Sequence, residues 1–343
     1  MSTIKLRSMQ VVLVLSWVAL PRLWGQGVPV SPGAGPQENP VVSGSLIAWH
    51  EFNRQRGDYD VFVADFNRPD DPLVLTIVDS NEQMNPALWA DRLVWQEYTL
   101  RRDSQDWDIF VADLSGLEEG DVWVYPVSNI LYNDEQHPAI HGNIVVWQDG
   151  PAENGDIYGA DITYLDAIRE FPIATFDGNQ VAPVVWRDQV LWLDDTYGDW
   201  DIFGSDIWLQ DLPQEFPIAS QDFEQIQVAM GRGIAVWQDN TYGDWDIVGL
   251  DLTDFDSVEY LDVQSRPADQ TQPAVDGPWV VYQDNRNGHW DIYATHWITG
   301  NEIRVTRDPA DQVNPVISGR LVVWQDNQSG TWTIYAKRLP EEP

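Results

Sequence analysis

The sequence predicts an all-β chain folded as a seven-bladed β-propeller, and three observations lead there. First, one pattern returns seven times: a Pro, often within "NP" or "QP", followed nine residues later by an aromatic. The pairs are Pro40/Trp49, Pro86/Trp95, Pro138/Trp147, Pro183/Trp192, Pro273/Tyr282 and Pro315/Trp324, with Val228/Trp237 keeping the offset without the Pro. Second, the aromatic landmarks lie 46, 52, 45, 45, 45 and 42 residues apart, so one repeating unit tiles residues 26–343 as a single domain. Third, short β-branched and aromatic runs are cut by turn signals every ~8–12 residues, with no helical periodicity. Four short strands in a unit of about 45 residues make a propeller blade.

Taken in order, the chain opens with Lys5 and Arg7, then an apolar run from Val11 to Leu20, then small residues near Gly25. That is the layout of a secretory signal peptide over residues 1–25, and the protein is expected to be exported to a periplasmic, cell-surface or secreted location. The seventh copy shows the blade most clearly. Val313 to Ile317 is an apolar first strand closed by "SGR", Leu321 to Gln325 a second strand, "DNQSG" a turn, and "TWTIYAKRL" a third strand. A fourth strand follows the other copies, as in "PLVLTIVD" and "EIRVTRD". The last copy lacks one, so Val28 to Ser31 is expected to supply it and close the ring of four-stranded antiparallel blades, leaving no open edge. "TYGDWDI", written at residues 196–202 and 241–247, is the turn into the third strand and recurs because the blade does.

The chain contains no Cys, which excludes disulfides and thiolate metal sites. Its net charge is −36, and loss of Lys5, Arg7 and Arg22 with the leader deepens that by three. Such a chain repels nucleic acid. After signal removal no membrane span remains, and a monomer is expected. A Trp at the same place in nearly every blade reads as core rather than as a ligand platform.

The segments "NPVVSGSLIAWHEFNRQRGDYDVFVAD" (39–65) and "QPAVDGPWVVYQDNRNGHWDIYATH" (272–296) resemble TolB-like propeller repeats. These set a Pro and Gly before a "VVW"-type strand, then a polar turn, then "DIY". The resemblance covers essentially the whole mature chain. It implies the fold strongly and an activity weakly, because such repeats serve translocation proteins, surface proteins, peptidases and lyases. The chain departs from TolB, in which a small α/β domain precedes the propeller. It also contains no Gly-x-Ser-x-Gly elbow of the kind a serine peptidase needs.

Candidate binding residues fall into two sets. One residue before the Pro position stand Asn39, Asn85, His137, Ala182, Gln227, Gln272 and Asn314, and they are expected to put amides and one imidazole at a mouth of the central channel. Three residues before it stand six Gln and, in copy three, Glu135. His137 with Glu135 is readable as a base and its orienter, but the other His occupy different repeat positions. In the second set, longer loops in copies one and two bring Arg54, Arg56, Arg101 and Arg102 onto an acidic surface, where guanidiniums suit carboxylates. The repeating acids at the turns read as caps, with Ca²⁺ as the competing reading, and no cofactor is expected. The resulting expectation is a non-catalytic scaffold for a protein or glycan partner on the face carrying the channel mouth. The alternative is a polysaccharide lyase or glycoside hydrolase acting there.

Overall fold

A computed structural model describes residues 11–13, 27–31, 33, 35–67, 74–77, 81–100, 105–117, 122–128, 133–151, 154–207, 215–253 and 259–341. Seven antiparallel sheets form a ring of blades. Each runs outward in chain order, as in blade three: Glu135–His141, Ile144–Asp149, Asp156–Asp161 and Arg169–Ala174. The seventh blade takes its outer strand from the other end of the chain. Val28 and Pro29 pair with Ala336 and Tyr335, and Val30 donates its N–H to the Ile334 carbonyl at 2.8 Å. Val11–Leu13, inside the segment read as an export signal, adds a fifth strand to the outer edge of blade one.

The core is divided among the seams. Each of seven clusters of buried apolar side chains joins two neighbouring blades. The landmark aromatics Trp49, Trp95, Trp147, Trp192, Trp237, Tyr282 and Trp324 are the largest fully buried side chains among them. Sheet faces alone would leave these rings wet. Burial of each by the next blade contributes on the order of 2–3 kcal/mol, so the ring is held by its seams.

Every innermost strand carries a β-bulge just before the Pro position. Asn39, Asn85, His137, Ala182, Gln227, Gln272 and Asn314 all have left-handed backbones, with φ between 48° and 57°. That conformation costs an ordinary side chain energy and suits Asn best after Gly. The repeating polar position is thus a backbone requirement before it is a recognition device. Asn85→Val is expected to cost about 1–2 kcal/mol, because a β-branched residue fits this region worst. Asn85→Gly is expected to fold normally. Chemical denaturation of the two variants separates these outcomes.

Candidate functional site

At the channel mouth where the innermost strands begin, most polar groups are spent between blades. In five places the residue after a landmark aromatic accepts the bulge N–H of the next blade. Gln325, His50, Gln96, Gln238 and Gln283 take those of Asn39, Asn85, His137, Gln272 and Asn314 at 2.9 to 3.2 Å. The side chains continue the run: Asn314 Nδ2 donates to Gln325 Oε1 at 2.6 Å, Asn39 Nδ2 to Asn85 Oδ1 at 2.9 Å, and Asn85 Nδ2 to Gln96 Oε1 at 2.9 Å. Leu193 at the equivalent place in blade four has no acceptor to offer Gln227. The structure therefore brings Asn314, Asn39, Asn85 and His137 into one network and leaves Gln227 outside it. Enclosure by the channel walls lowers the His137 pKa from its ordinary value.

The Gln three residues before the Pro position is completely buried in six blades. In blades seven and one, Gln37 Oε1 accepts the Ile334 N–H at 2.9 Å while its Nε2 donates to Glu51 at 2.9 Å. Gln83 and Gln180 make the same donation to Glu97 and Asp194, both at 3.0 Å. Blade three has Glu135 here, completely buried and bonded to Ser128 rather than to His137. Burial, with Asp108 and Asp149 nearby, pushes its pKa up to about 9. Glu135 is thus a neutral stand-in for Gln, sealed in a seam, and no base-and-orienter pair forms with His137.

The two longer loops divide. Asn53 Oδ1 caps the N–H groups of Gln55 and Arg56 at 3.1 and 3.3 Å. The Arg56 guanidinium then turns back onto Asp58 at 3.0 Å and onto Asp60. Arg54 is exposed, and Arg101 and Arg102 lie outside the described residues. The repeating turn acids act as caps: Asp194, Asp239, Asp284 and Asp326 accept the N–H two residues on at 2.8 to 2.9 Å. Among the described residues no group of three or more His, Cys, Asp or Glu is arranged to hold a metal.

The opposite end of the channel carries the more varied chemistry. The last residue of each innermost strand is Ser43, Trp89, His141, Trp186, Gly231, Asp276 and Ser318 in blades one to seven. They rim a cavity of about 310 Å³ above an aliphatic collar of one residue per blade, from Val42 to Ile317. The Trp89 and His141 rings lie 3.8 Å apart between centroids, and His141 and Trp186 6.0 Å. Arg187 stacks over Trp186 at 4.3 Å, and Arg232 pairs with Asp276 at 2.6 Å. His141 Nδ1 accepts the Arg187 N–H at 3.0 Å, which fixes its ring between the two indoles. Burial and then the Arg187 charge lower its pKa, so it is neutral at pH 7. Flat rings, an imidazole and a guanidinium around a small cavity suit a sugar ring with a carboxylate, or an acidic side chain on a peptide. Sequence reasoning missed this set. Its signal was present, because this position never settles on a residue type while the two before it are always small or aliphatic.

No protein-family model matches the chain, and no curated protein matches it. Among solved structures it is similar to the β-propeller domain of the Trilobed protease from Pyrococcus furiosus, described as having an open velcro topology. The TM-score is 0.63 at 12% identity, covering 90% of this chain and 96% of that one. It is similar to an oligogalacturonate lyase from Vibrio parahaemolyticus, with TM-score 0.64 and 11% identity over 97% and 99%. TolB from Acinetobacter baumannii matches with TM-score 0.50 and 14% identity over 79% and 66%. At such identities the likeness is one of fold alone, a β-propeller.

Proposed function

We propose that this protein is an exported, non-catalytic propeller that binds a carboxylate-bearing glycan or protein segment at the aromatic mouth of its channel. The observation that carries this reading is the meeting of Trp89, His141, Trp186 and Arg187 at one repeat position and the turn beside it. Residues that serve the fold recur from blade to blade, whereas these do not. The four-Arg surface does not add to this reading, because its loops join second and third strands at the opposite end of the blades and Arg56 is already neutralised by Asp58 and Asp60. Export rests on the charged and then apolar N-terminal segment and on the likeness to TolB. No helix among the described residues is long and apolar enough to cross a membrane.

Titration of the mature chain with uronate-containing oligosaccharides and with acidic peptides tests this reading. Saturable binding is expected, weakened about tenfold or more by Trp89→Ala with Trp186→Ala, each exposed ring contributing about 1 kcal/mol or more. The fold is expected to survive, since neither ring is buried. Binding unchanged in the double variant overturns the site, and release of cleaved product overturns the non-catalytic assignment in favour of a glycan-active enzyme.

A further inference from the structure

Blades four and six carry the same acids in the same register, but they use them differently. In blade six, Asp284 ends the second strand, Asp291 starts the third, and Glu302 lies on the outer strand opposite Thr295. Two of the chain's own guanidiniums fill the space between them. Arg286 bonds Asp284 at 2.5 Å and Glu302 at 2.9 Å and stacks on Tyr293 at 4.3 Å. Arg304 bonds Asp291 at 2.7 Å.

Blade four aligns residue for residue. Asp194, Asp201 and Glu215 stand where blade six has Asp284, Asp291 and Glu302, and Phe203 stands for Tyr293. The two cations are replaced by Thr196 and Pro217. Where the guanidiniums would lie there is instead an open cleft of about 570 Å³, lined by Tyr197, Asp199, Asp201, Phe203, Glu215 and Asp222 among others. Asp201 is 4% exposed, and its Oδ1 has no hydrogen-bond partner. An unpartnered buried carboxylate oxygen is costly, and a cation in the cleft would relieve that cost. Burial, then Asp199, Asp194 and Glu224, raises the Asp201 pKa to about 6, and burial followed by Asp194 raises that of Glu215. Tyr197 is 76% exposed and its ring stacks on Phe203 at 6.2 Å, which extends the aromatic wall outward. Asp194 is less available, since Gln180 Nε2 and the Thr196 N–H already occupy its oxygens. Blade three repeats the acids as Asp149, Asp156 and Glu170 but has Ala152 in place of Tyr197.

We propose that the blade-four cleft is a binding site for an arginine side chain of a partner protein, held by Asp201 and Glu215 against the Tyr197 and Phe203 rings as blade six holds its own Arg286 and Arg304. The site goes beyond binding at the aromatic mouth. It lies on the opposite face of the ring, among the turns between second and third strands and the connections into the innermost strands.

The test uses the full mature chain and an acetylated Gly-Arg-Gly amide, with the norleucine peptide as the uncharged counterpart, followed by calorimetry or NMR. The arginine peptide is expected to bind saturably and about tenfold or more tighter than its counterpart. Asp201→Asn is expected to weaken that binding about tenfold or more while leaving the melting temperature equal or higher. Thr196→Arg with Pro217→Arg, which installs the blade-six arrangement, is expected to abolish it and to leave binding at the aromatic mouth untouched. Equal binding of the two peptides, no saturable binding of the arginine peptide, or binding that survives in Asp201→Asn overturns the proposal.

Discussion

Replacing Glu135 with Gln is expected to stabilise the protein by about 3–4 kcal/mol at pH 7 and to change little near pH 4. The other six blades have Gln at this place, completely buried, and its Nε2 gives one hydrogen to the carboxylate two residues after the landmark aromatic in blades one, two and four. In blade three that carboxylate is Asp149, whose Oδ1 lacks a partner, and Glu135 Oε1 lacks one as well. The folded-state pKa of Glu135 stands near 9, above the ordinary value of 4.5. Below pH 4.5 the carboxyl is neutral in both states and costs nothing extra. Between pH 4.5 and about 9 the unfolded chain has lost the proton and the folded chain must keep it. Each pH unit in that window therefore removes about 1.4 kcal/mol of stability. Gln does not titrate, so the advantage of the variant should grow across the window and level off above it. Urea unfolding of both proteins at pH 4, 7 and 9 measures the difference. A gain that is the same at all three pH values would mean that Glu135 is not held neutral.

The propeller was legible because its signals repeat: an aromatic and an acid in all seven copies, led by a Pro in six of them, leave little choice of architecture. The N-terminal strand was legible for the same reason, as "GVPVS" stands where the seventh copy is one strand short. What repetition hides is the reason for each repeat. The residues before the Pro read as a polar ring facing a ligand, yet their common feature is a left-handed backbone that no composition displays. Arg56 read as part of a patch for an acidic partner, but its loop folds it onto Asp58 and Asp60 of its own hairpin. The aromatic mouth was overlooked because its members sit in what reads as turn chemistry. Ser-Gly and Asp-Gly fill the place in blades one, six and seven, and only the ring geometry shows Trp89, His141 and Trp186 meeting there. The blade-four cleft needed the register of two blades side by side, since Asp201 and Asp291 look alike until one is seen to hold a guanidinium.

Removing residues 26–31 from a chain that otherwise starts at Gln26, so that it begins shortly before the innermost strand of blade one, is expected to lower stability by about 4 kcal/mol or more and to make the protein associate. The loss has two parts. Val30 is buried in the seam between blades seven and one, packed with Ile47, Trp49, Leu321 and Val323, and taking it away leaves a cavity beside two landmark strands. The Val30 N–H to Ile334 hydrogen bond and the pairing of Val28 and Pro29 with the third strand of blade seven disappear with it. That third strand, Thr333–Arg338, would then present an unpaired edge of N–H and C=O groups, which invites another copy of the chain to pair with it. Because the strand joins the two ends of the chain, its removal should open the ring at one seam while the remaining seams keep their buried aromatics. The near-ultraviolet signal should therefore weaken rather than vanish, while size-exclusion elution moves to larger species. A synthetic "GVPVS" peptide added in excess should pair with the exposed edge and restore the monomer. An unchanged melting temperature in the truncated chain would show that the seams hold the ring without the closing strand. Association that the peptide cannot reverse would place the exposed edge elsewhere.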